Sequence, residues 1–344
     1  MISTPTIGIR PASSHWTSPL ERHVIDSLDL QLMQALQLDG RAPFSRIAEV
    51  LGVSDQTVAR RFRRLHASTG LRILGITDEA RFGRTSWIVR LQCTPDGAEQ
   101  LGNALARRAD TSYVGLLSGG TEVICAMRPR SSQERDELLL DRLQRTPRVT
   151  SVSAHCVLRH FYGGPLGWLN KINALDADQE DALRLPPADL SSPLPELDDL
   201  DETLLSLLHR DGRAPLTELQ AATGQSESVV KRRLTRLQTS GVLYFDVQHT
   251  HELLGNDVLA ALWLTVAPSS LASVGRALSG HPEVRFAAAT TGRAGVFAAT
   301  LHRGTEELYT YLSERIGALD GIQSVEPALI VRQVKQLAYE PPHR

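Results

Sequence analysis

A gapless internal repeat constrains this chain more than any other feature. Asp29 to Leu65 align on Asp201 to Leu237 without an insertion. Asp29, Leu32, Leu36, Asp39, Gly40, Arg41, Ala42, Pro43, Gly52, Ser54, Val58, Arg60, Arg61, Arg64 and Leu65 all recur as the same residue type in the second copy. The spacing is about half of the 344 residues, so the repeat describes a duplicated domain pair and not a solenoid. The length leaves room for two or more domains with buried cores.

Within each copy the pattern is helical. The spacing predicts a first helix over Asp29–Leu38, with Asp29 as N-cap and Leu32, Ala35 and Leu36 inward. The loop Asp39 to Pro43 ends it, with Gly40 in a left-handed conformation and Pro43 blocking continuation. A second helix, Ser45–Leu51, breaks at Gly52. Ser54 then caps a third, SDQTVARRFRRLH, in which Val58, Phe62 and Leu65 share one face and Arg60, Arg61, Arg63 and Arg64 crowd the others. It ends near Gly70, and Leu71–Thr77 reads as a strand. The second copy predicts a helix over Asp201–His209, one opening with a capping box from Thr217 to Gln220, and a third starting at Ser226. That third helix has Val230, Leu234 and Leu237 inward and Lys231, Arg232, Arg233 and Arg236 outward. Gly241 closes it and the strand Val242–Val247 follows. A short helix, a Gly turn and an Arg-rich helix form the helix-turn-helix pattern, whose second helix enters the DNA major groove. A strand after it makes the unit winged.

The net charge of −2 gives no global sign of a nucleic-acid partner. It hides segregation: between Asp176 and Glu202 acids face only Arg184, while bases gather on the two third helices. Local phosphate neutralisation needs only the local stripe. Cys93, Cys125 and Cys156 have no metal-like spacing and are odd in number, which points to free buried thiols. No apolar run approaches a membrane span and no signal-peptide core is present, so a cytoplasmic protein without metal or cofactor is expected.

Residues 1–24 read as a flexible tail, 25–79 as a first helix-turn-helix domain, and 198–250 as a second. Each is followed by strand, helix, strand, strand, helix, strand, over 80–162 and 251–340. This is the order of the ferredoxin-like β-α-β-β-α-β unit. Such a sheet has helices on one face only, so the two copies are expected to cover each other. Residues 163–197 form a Pro-rich acidic linker with a short helix near Gln179–Arg184 and an anchor at Trp168 and Leu169. The fold class expected is α+β: two winged helix-turn-helix domains, each with a ferredoxin-like domain, arranged as an intrachain pseudo-dimer.

That order resembles the Lrp/AsnC (feast/famine) family of transcription regulators. The residues carrying the likeness are Leu28-Asp29, Asp39 to Pro43, Ile47-Ala48, Gly52, Ser54, Val58, Arg61, Leu65 and Gly70. Leu200-Asp201, Asp211 to Pro215, Leu219, Gly224, Ser226, Val230, Arg233, Leu237 and Gly241 carry it in the second copy. The resemblance implies a partner in double-stranded DNA, self-association of paired units, and an amino-acid-like effector near the turn between the second and third strands of the ferredoxin-like domain. In this chain that turn holds Gly119, Gly120 and Glu122, with Glu122 facing an ammonium group, and Gly292 in the second copy, where no acid follows. The alternative reading makes these ordinary tight hairpin turns.

The residues expected at DNA are Ser54, Gln56, Thr57, Arg60, Arg61, Arg63 and Arg64, and Ser226, Ser228, Lys231, Arg232, Arg233 and Arg236. The N-terminal ones lie nearer base edges and the later ones nearer phosphates. Because the first turns differ between copies, an asymmetric operator follows. The competing class is an enzyme like the siroheme decarboxylases, which resemble the same family in fold. It would draw on His155, Arg159 and His160, with Arg332 and Lys335 from the second half. No paired catalytic constellation is visible among them.

Overall fold

The protein is seen here in a computed structural model that describes residues 25–164, 171–191, 193–249 and 255–337. The tail expected over 1–24, and Trp168 and Leu169, lie outside the described residues.

The first copy begins with α1 (Ser27–Leu38), α2 (Phe44–Leu51) and α3 (Asp55–Thr69). The N-cap of α1 is Asp26, not Asp29. Asp26 accepts from the Asp29 N–H while the Asp29 side chain returns to the Asp26 N–H, a two-carboxylate capping box. Gly52 ends α2 in the left-handed conformation, and the Ser54 hydroxyl accepts from the Thr57 N–H to start α3. Gly40 is not left-handed. A Cβ there would lie 2.6 Å from Cβ of Phe245, so its glycine is required by contact with the other copy.

The strand β1 (Arg72–Thr77) is followed by the ferredoxin-like unit: β2 (Trp87–Cys93), α4 (Ala98–Ala106), β3 (Thr111–Leu117), β4 (Glu122–Met127), α5 (Ser132–Asp136) and β5 (Val149–Tyr162). The linker forms α6 (Ala177–Leu183). The second copy then gives α7 (Asp199–Arg210), α8 (Leu216–Thr223), α9 (Glu227–Thr239), β6 (Leu243–Gln248), β7 (Val258–Val266), α10 (Leu271–Gly280), β8 (Val284–Thr290), β9 (Val296–His302), α11 (Thr305–Thr310) and β10 (Ile322–Gln336). The second helix of each ferredoxin-like unit widens into a π-type turn, at Glu137–Arg142 and Tyr311–Ile316. The capping box expected at Thr217 does not form, because α8 starts one residue earlier, after Pro215, without a side-chain cap.

The copies are joined in two places. β1 pairs antiparallel with β6, Gly75 opposite Phe245, so each expected wing finds its partner strand in the other copy. Around this ribbon, apolar residues of α1–α3 and α7–α9 form one continuous core. Below it the sheets do not merely face each other; they meet edge to edge. β5 pairs with β2 over Val149–Cys156 and with β8 beyond, and β10 pairs with β7 and then β3. The result is a closed eight-stranded barrel in the order β10-β3-β4-β2-β5-β8-β9-β7. Helices cover it outside over two separate cores, and a third core, with Trp263, Phe297 and Ile330, fills its interior.

The repeated Asp-Gly-Arg-Ala-Pro loops explain why the heads sit as they do. Arg41 donates to the carbonyls of Gly212 and Ala214 at 2.6 and 3.0 Å, and Arg213 donates to those of Gly40 and Ala42 at 2.8 and 3.0 Å. Each arginine thus closes the other copy's loop across an approximate two-fold axis. Burial lowers the pKa of both guanidinium groups from the usual arginine value, and for Arg213 the neighbouring Arg41 charge adds to the effect. Only Arg213 also lies over an aromatic ring, 4.5 Å from the Phe44 centroid, because the residue matching Phe44 is Leu216.

Arg41→Ala should therefore destabilise the chain by about 1.5–3 kcal/mol, the loss expected for charged hydrogen bonds to buried carbonyls, and Arg213→Ala by more. Urea unfolding of both variants checks this; equal costs would remove the part assigned to Phe44. Asp246, on β6, is buried and its carboxyl is pushed up to about 7 by desolvation. The folded chain then binds a proton that the unfolded chain releases near 4, so stability should fall as pH rises from about 4 to 7. Arg128, the Gln37 side chain and the Val247 N–H oppose the shift without cancelling it. Melting temperatures across that window, with Asp246→Asn as a variant that flattens the dependence, are the check.

Candidate nucleic-acid interface and interior chamber

Two different tasks divide the basic residues of α3 and α9. Asp29 and Asp201 are fully buried, and a buried carboxylate without partners would be prohibitive. Arg61 Nη1 lies 2.7 Å from Asp26 and 2.9 Å from Asp29, and Arg64 completes the cluster at Asp29. The second copy reproduces it: Arg233 Nη1 lies 2.7 Å from Asp198 and 2.9 Å from Asp201, and Arg236 pairs with Asp201. These bonds raise the Arg61 and Arg233 pKa values above the usual arginine value. The Arg61 guanidinium in turn holds Asp26 below the usual carboxylate range. Asp198 is held down first by the Asp201 N–H and then by Arg233.

Arg61, Arg64, Arg233 and Arg236, all expected at DNA, are engaged with these carboxylates, and Arg64 and Arg236 also stay exposed. They clamp the recognition helix to the start of the first helix. The repeated Asp-x-x-Asp of Asp26/Asp29 and Asp198/Asp201 was the available signal, since each carboxylate pair needs a cation at a fixed place.

Other residues share the outward face. Ser54, Gln56, Arg60 and Arg63 are exposed, and Thr57 is half-buried beside the cap. In the second copy Ser226, Ser228, Lys231 and Arg232 are exposed. Ser226 makes no cap bond to its helix; its hydroxyl pairs instead with that of Ser228 at 3.1 Å. Lys231 meets Glu227 at 2.5 Å across one turn, a solvent-exposed pair worth little. The two faces thus share charge and differ in side-chain chemistry.

The hairpin turns are less open to a ligand than expected. Glu122 is buried and held bidentately by Arg90, at 2.6 and 3.0 Å, and Arg90 also reaches Glu326 at 2.5 Å. Its charge is already matched, so the expected role for Glu122 toward an ammonium group is corrected to an internal ion network. Gly119 and Gly120 are left-handed and nothing packs where a Cβ would project. Gly292 is left-handed too, but a Cβ there would lie 2.5 Å from His155 Nδ1. His155 accepts this close approach while Nδ1 lies 2.8 Å from the Thr291 carbonyl and its ring sits 4.8 Å from that of Trp263. The turn is a clasp between copies.

His160 points elsewhere, to the opposite end of the barrel, with its ring edge-on to Phe286. Arg159 lies over Phe161, Arg332 pairs with Glu99, and Lys335 donates to the Arg108 carbonyl. The five residues named from sequence for an enzyme do not come together, although His160 lines one chamber with Arg128, His249 and Arg285. Among the described residues no cluster of His, Cys, Asp and Glu suits a metal ion, and no helix is long and apolar enough to cross a membrane. Cys93 and Cys125 are buried free thiols, and burial pushes Cys125 up to about 12.

One feature had no sequence signal. At the barrel end beneath the β1–β6 ribbon lies a chamber of about 210 Å³. Trp87, Tyr113, Phe286, Phe297 and Ile330 line it, and Arg128, Arg285 and Asp246 supply charge. Its lining comes from nine strands of both copies, β2 to β10, which no local pattern links.

Comparison with known proteins fits this division. The AsnC-type helix-turn-helix profile matches residues 25–66 and 197–238, and the Lrp/AsnC ligand binding domain profile matches 259–339. The HTH-type transcriptional regulator FL11 of Pyrococcus furiosus is 29% identical over 141 residues, 41% of this chain and 93% of that protein. The regulator LrpA of Pyrococcus horikoshii is 28% identical over 40% of this chain and 99% of that protein. Each relative thus corresponds to one half of the duplicated chain. Among solved structures, the siroheme decarboxylase NirDL superposes with a TM-score of 0.62 at 18% identity, covering 91% of this chain and 94% of that one. At that identity the likeness is one of fold.

Removing Arg233 leaves the fully buried Asp201 to Arg236 and strips Asp198 of its cation, so Arg233→Ala should cost on the order of 2–4 kcal/mol in urea unfolding, whereas Arg232→Ala should stay within about 0.5 kcal/mol of the parent. Comparable costs for the two would undo the division between clamp and outer face.

Proposed function

We propose that this chain, which belongs to the Lrp/AsnC family in tandem-duplicated form, is a two-headed, sequence-specific DNA-binding transcriptional regulator that responds to a small effector. One observation carries the reading. Two matched recognition helices are pinned by Asp–Arg clamps to a single shared core, and their exposed faces carry Gln56, Arg60 and Arg63 on one and Ser228, Lys231 and Arg232 on the other. Arg and Lys neutralise phosphate there, and the first-turn residues face base edges. Because Gln56-Thr57 stands where the second head has Ser228-Val229, the operator is asymmetric. The effector belongs with the ferredoxin-like units, one of which matches the family's ligand binding domain.

An enzymatic role finds less support. His155 stands against the Thr291 turn and Trp263, apart from His160, which lines the chamber against Phe286. The interior chamber of about 210 Å³ is smaller than the roughly 300–1,000 Å³ of usual drug-sized sites, and a tetrapyrrole would need far more.

Selection of the purified chain against random DNA should enrich one non-palindromic site. The double variant Arg60→Ala, Arg232→Ala should weaken binding to it and lower the salt slope by about 0.9 for each lost phosphate contact. Exchanging Gln56-Thr57 for Ser-Val should alter preference at one half-site alone. A palindromic site, or a change at both half-sites, contradicts the asymmetric reading; no enrichment contradicts DNA recognition itself.

A further inference from the structure

The chamber at the head-facing end of the barrel is built in a particular way. Its walls are aromatic and aliphatic: Trp87 from β2, Phe286 from β8, Phe297 from β9 and Ile330 from β10. Its volume of about 210 Å³ exists because Ala126 and Ala299, equivalent positions of β4 and β9, are both small and face it. An eight-stranded barrel has an interior wide enough to be filled by side chains or to hold one small ligand, and here the filling stops short of one end.

Charge enters that apolar space from Arg285 on β8 and, on the side considered next, from Arg128 and Asp246. Arg128, at the end of β4, lines the chamber half-buried. Among the described residues it makes no ion pair, although burial would favour one; its side chain is turned toward the hydroxyl of Tyr244 and the field of Asp246. Asp246 reaches the chamber from β6, opposite Leu74 in the ribbon, and the side chain of Gln37 in α1 is among its hydrogen-bond donors. A guanidinium beside an aromatic chamber fits a carboxylate carried on a compact apolar body.

We propose that this chamber binds a small carboxylic acid with an aromatic or branched apolar body, its carboxylate on Arg128 and its body against Trp87, Phe286 and Phe297, and that this is the effector site in place of the hairpin turns. Its occupant touches the ribbon on which both heads are built, so binding reaches the recognition helices through β6 and α1. The regulatory consequence rests on the DNA-binding reading above; the binding itself does not. The carboxylate is that of an amino acid, whose ammonium group then meets Asp246, or of a plain acid with no ammonium group, and the test separates them.

Thermal shift and titration calorimetry on the full chain would use L-phenylalanine, phenylacetate, phenethylamine and L-alanine. Binding is expected for the first two and not for phenethylamine, which lacks the carboxylate, or alanine, which lacks the body. Arg128→Gln should weaken binding about tenfold or more, as loss of a charged hydrogen bond does. Ala299→Leu should abolish it by filling the chamber, and Gly120→Ala, at the hairpin turn, should leave it unchanged. Retained circular dichroism and a cooperative melt identify variants that still fold, and Ala126→Leu repeats the filling test from the equivalent wall. Tighter binding of phenylalanine than of phenylacetate, levelled by Asp246→Asn, assigns the amino acid; equal binding assigns the plain acid. Failure of both carboxylated probes to bind at millimolar concentration, equal binding of phenethylamine, or indifference to Arg128→Gln overturns the proposal. Ligand binding without DNA enrichment would instead leave the chamber intact and defeat the regulator reading.

Discussion

Everything in this molecule follows from two sheets that cannot end. Each ferredoxin-like sheet runs β5-β2-β4-β3 or β10-β7-β9-β8, and each would leave two edge strands with unpaired N–H and C=O groups. Exposed edges are aggregation templates, and closure alone abolishes them. Here the long last strand of each copy spends its first half on its own sheet and its second half on the neighbour's. That crossover closes the barrel, hides the uncovered faces inside it, and fixes the end on which the helical heads must stand.

The heads obey the same logic at smaller scale. Neither β1 nor β6 could form a sheet alone, and neither three-helix unit closes its own core. The arginines of the repeated loops complete the exchange, each ending in carbonyls of the other copy. The exposed faces of α3 and α9 are thereby carried on a platform whose geometry is set by buried contacts.

Much of this was legible in the sequence because it is local or repeated. Apolar periodicity placed the helices of the heads, and the strand, helix, strand, strand, helix, strand order expected of each ferredoxin-like unit is the order found. What the sequence hid is non-local. Arg60 and Arg61 are neighbours of one type; only the position of Asp26, a full domain width of chain away, decides that one faces out and the other in. The same holds for Glu122, whose acidity beside a glycine turn resembles a ligand group until Arg90 is seen against it. The chamber depends on nine strands at once, and Ala126 and Ala299 carry no mark of it. Fusion also permits differences that two identical subunits would forbid: Arg90 occupies the place taken by Trp263 in the other half, and the two sit 5.8 Å apart.

The linker settles a question of closure within one molecule against concatenation between many. Because every interface between the halves is reciprocal, the first half of one chain fits the second half of another, and a slack tether would allow strings of swapped chains. This tether is not slack. Gln34 of α1 accepts from Ala174 and Leu175 and donates to Glu180, and Arg46 donates to the Ala182 carbonyl, which fastens α6 to the first head. Further on, the Asp189 N–H donates to the Thr239 carbonyl at the end of α9, and Arg81 holds the Leu190 carbonyl. With both heads fastened to the same strap, the free length between them is short, and the local concentration of one half around the other is well above what a second chain can offer. The chain is its own preferred partner.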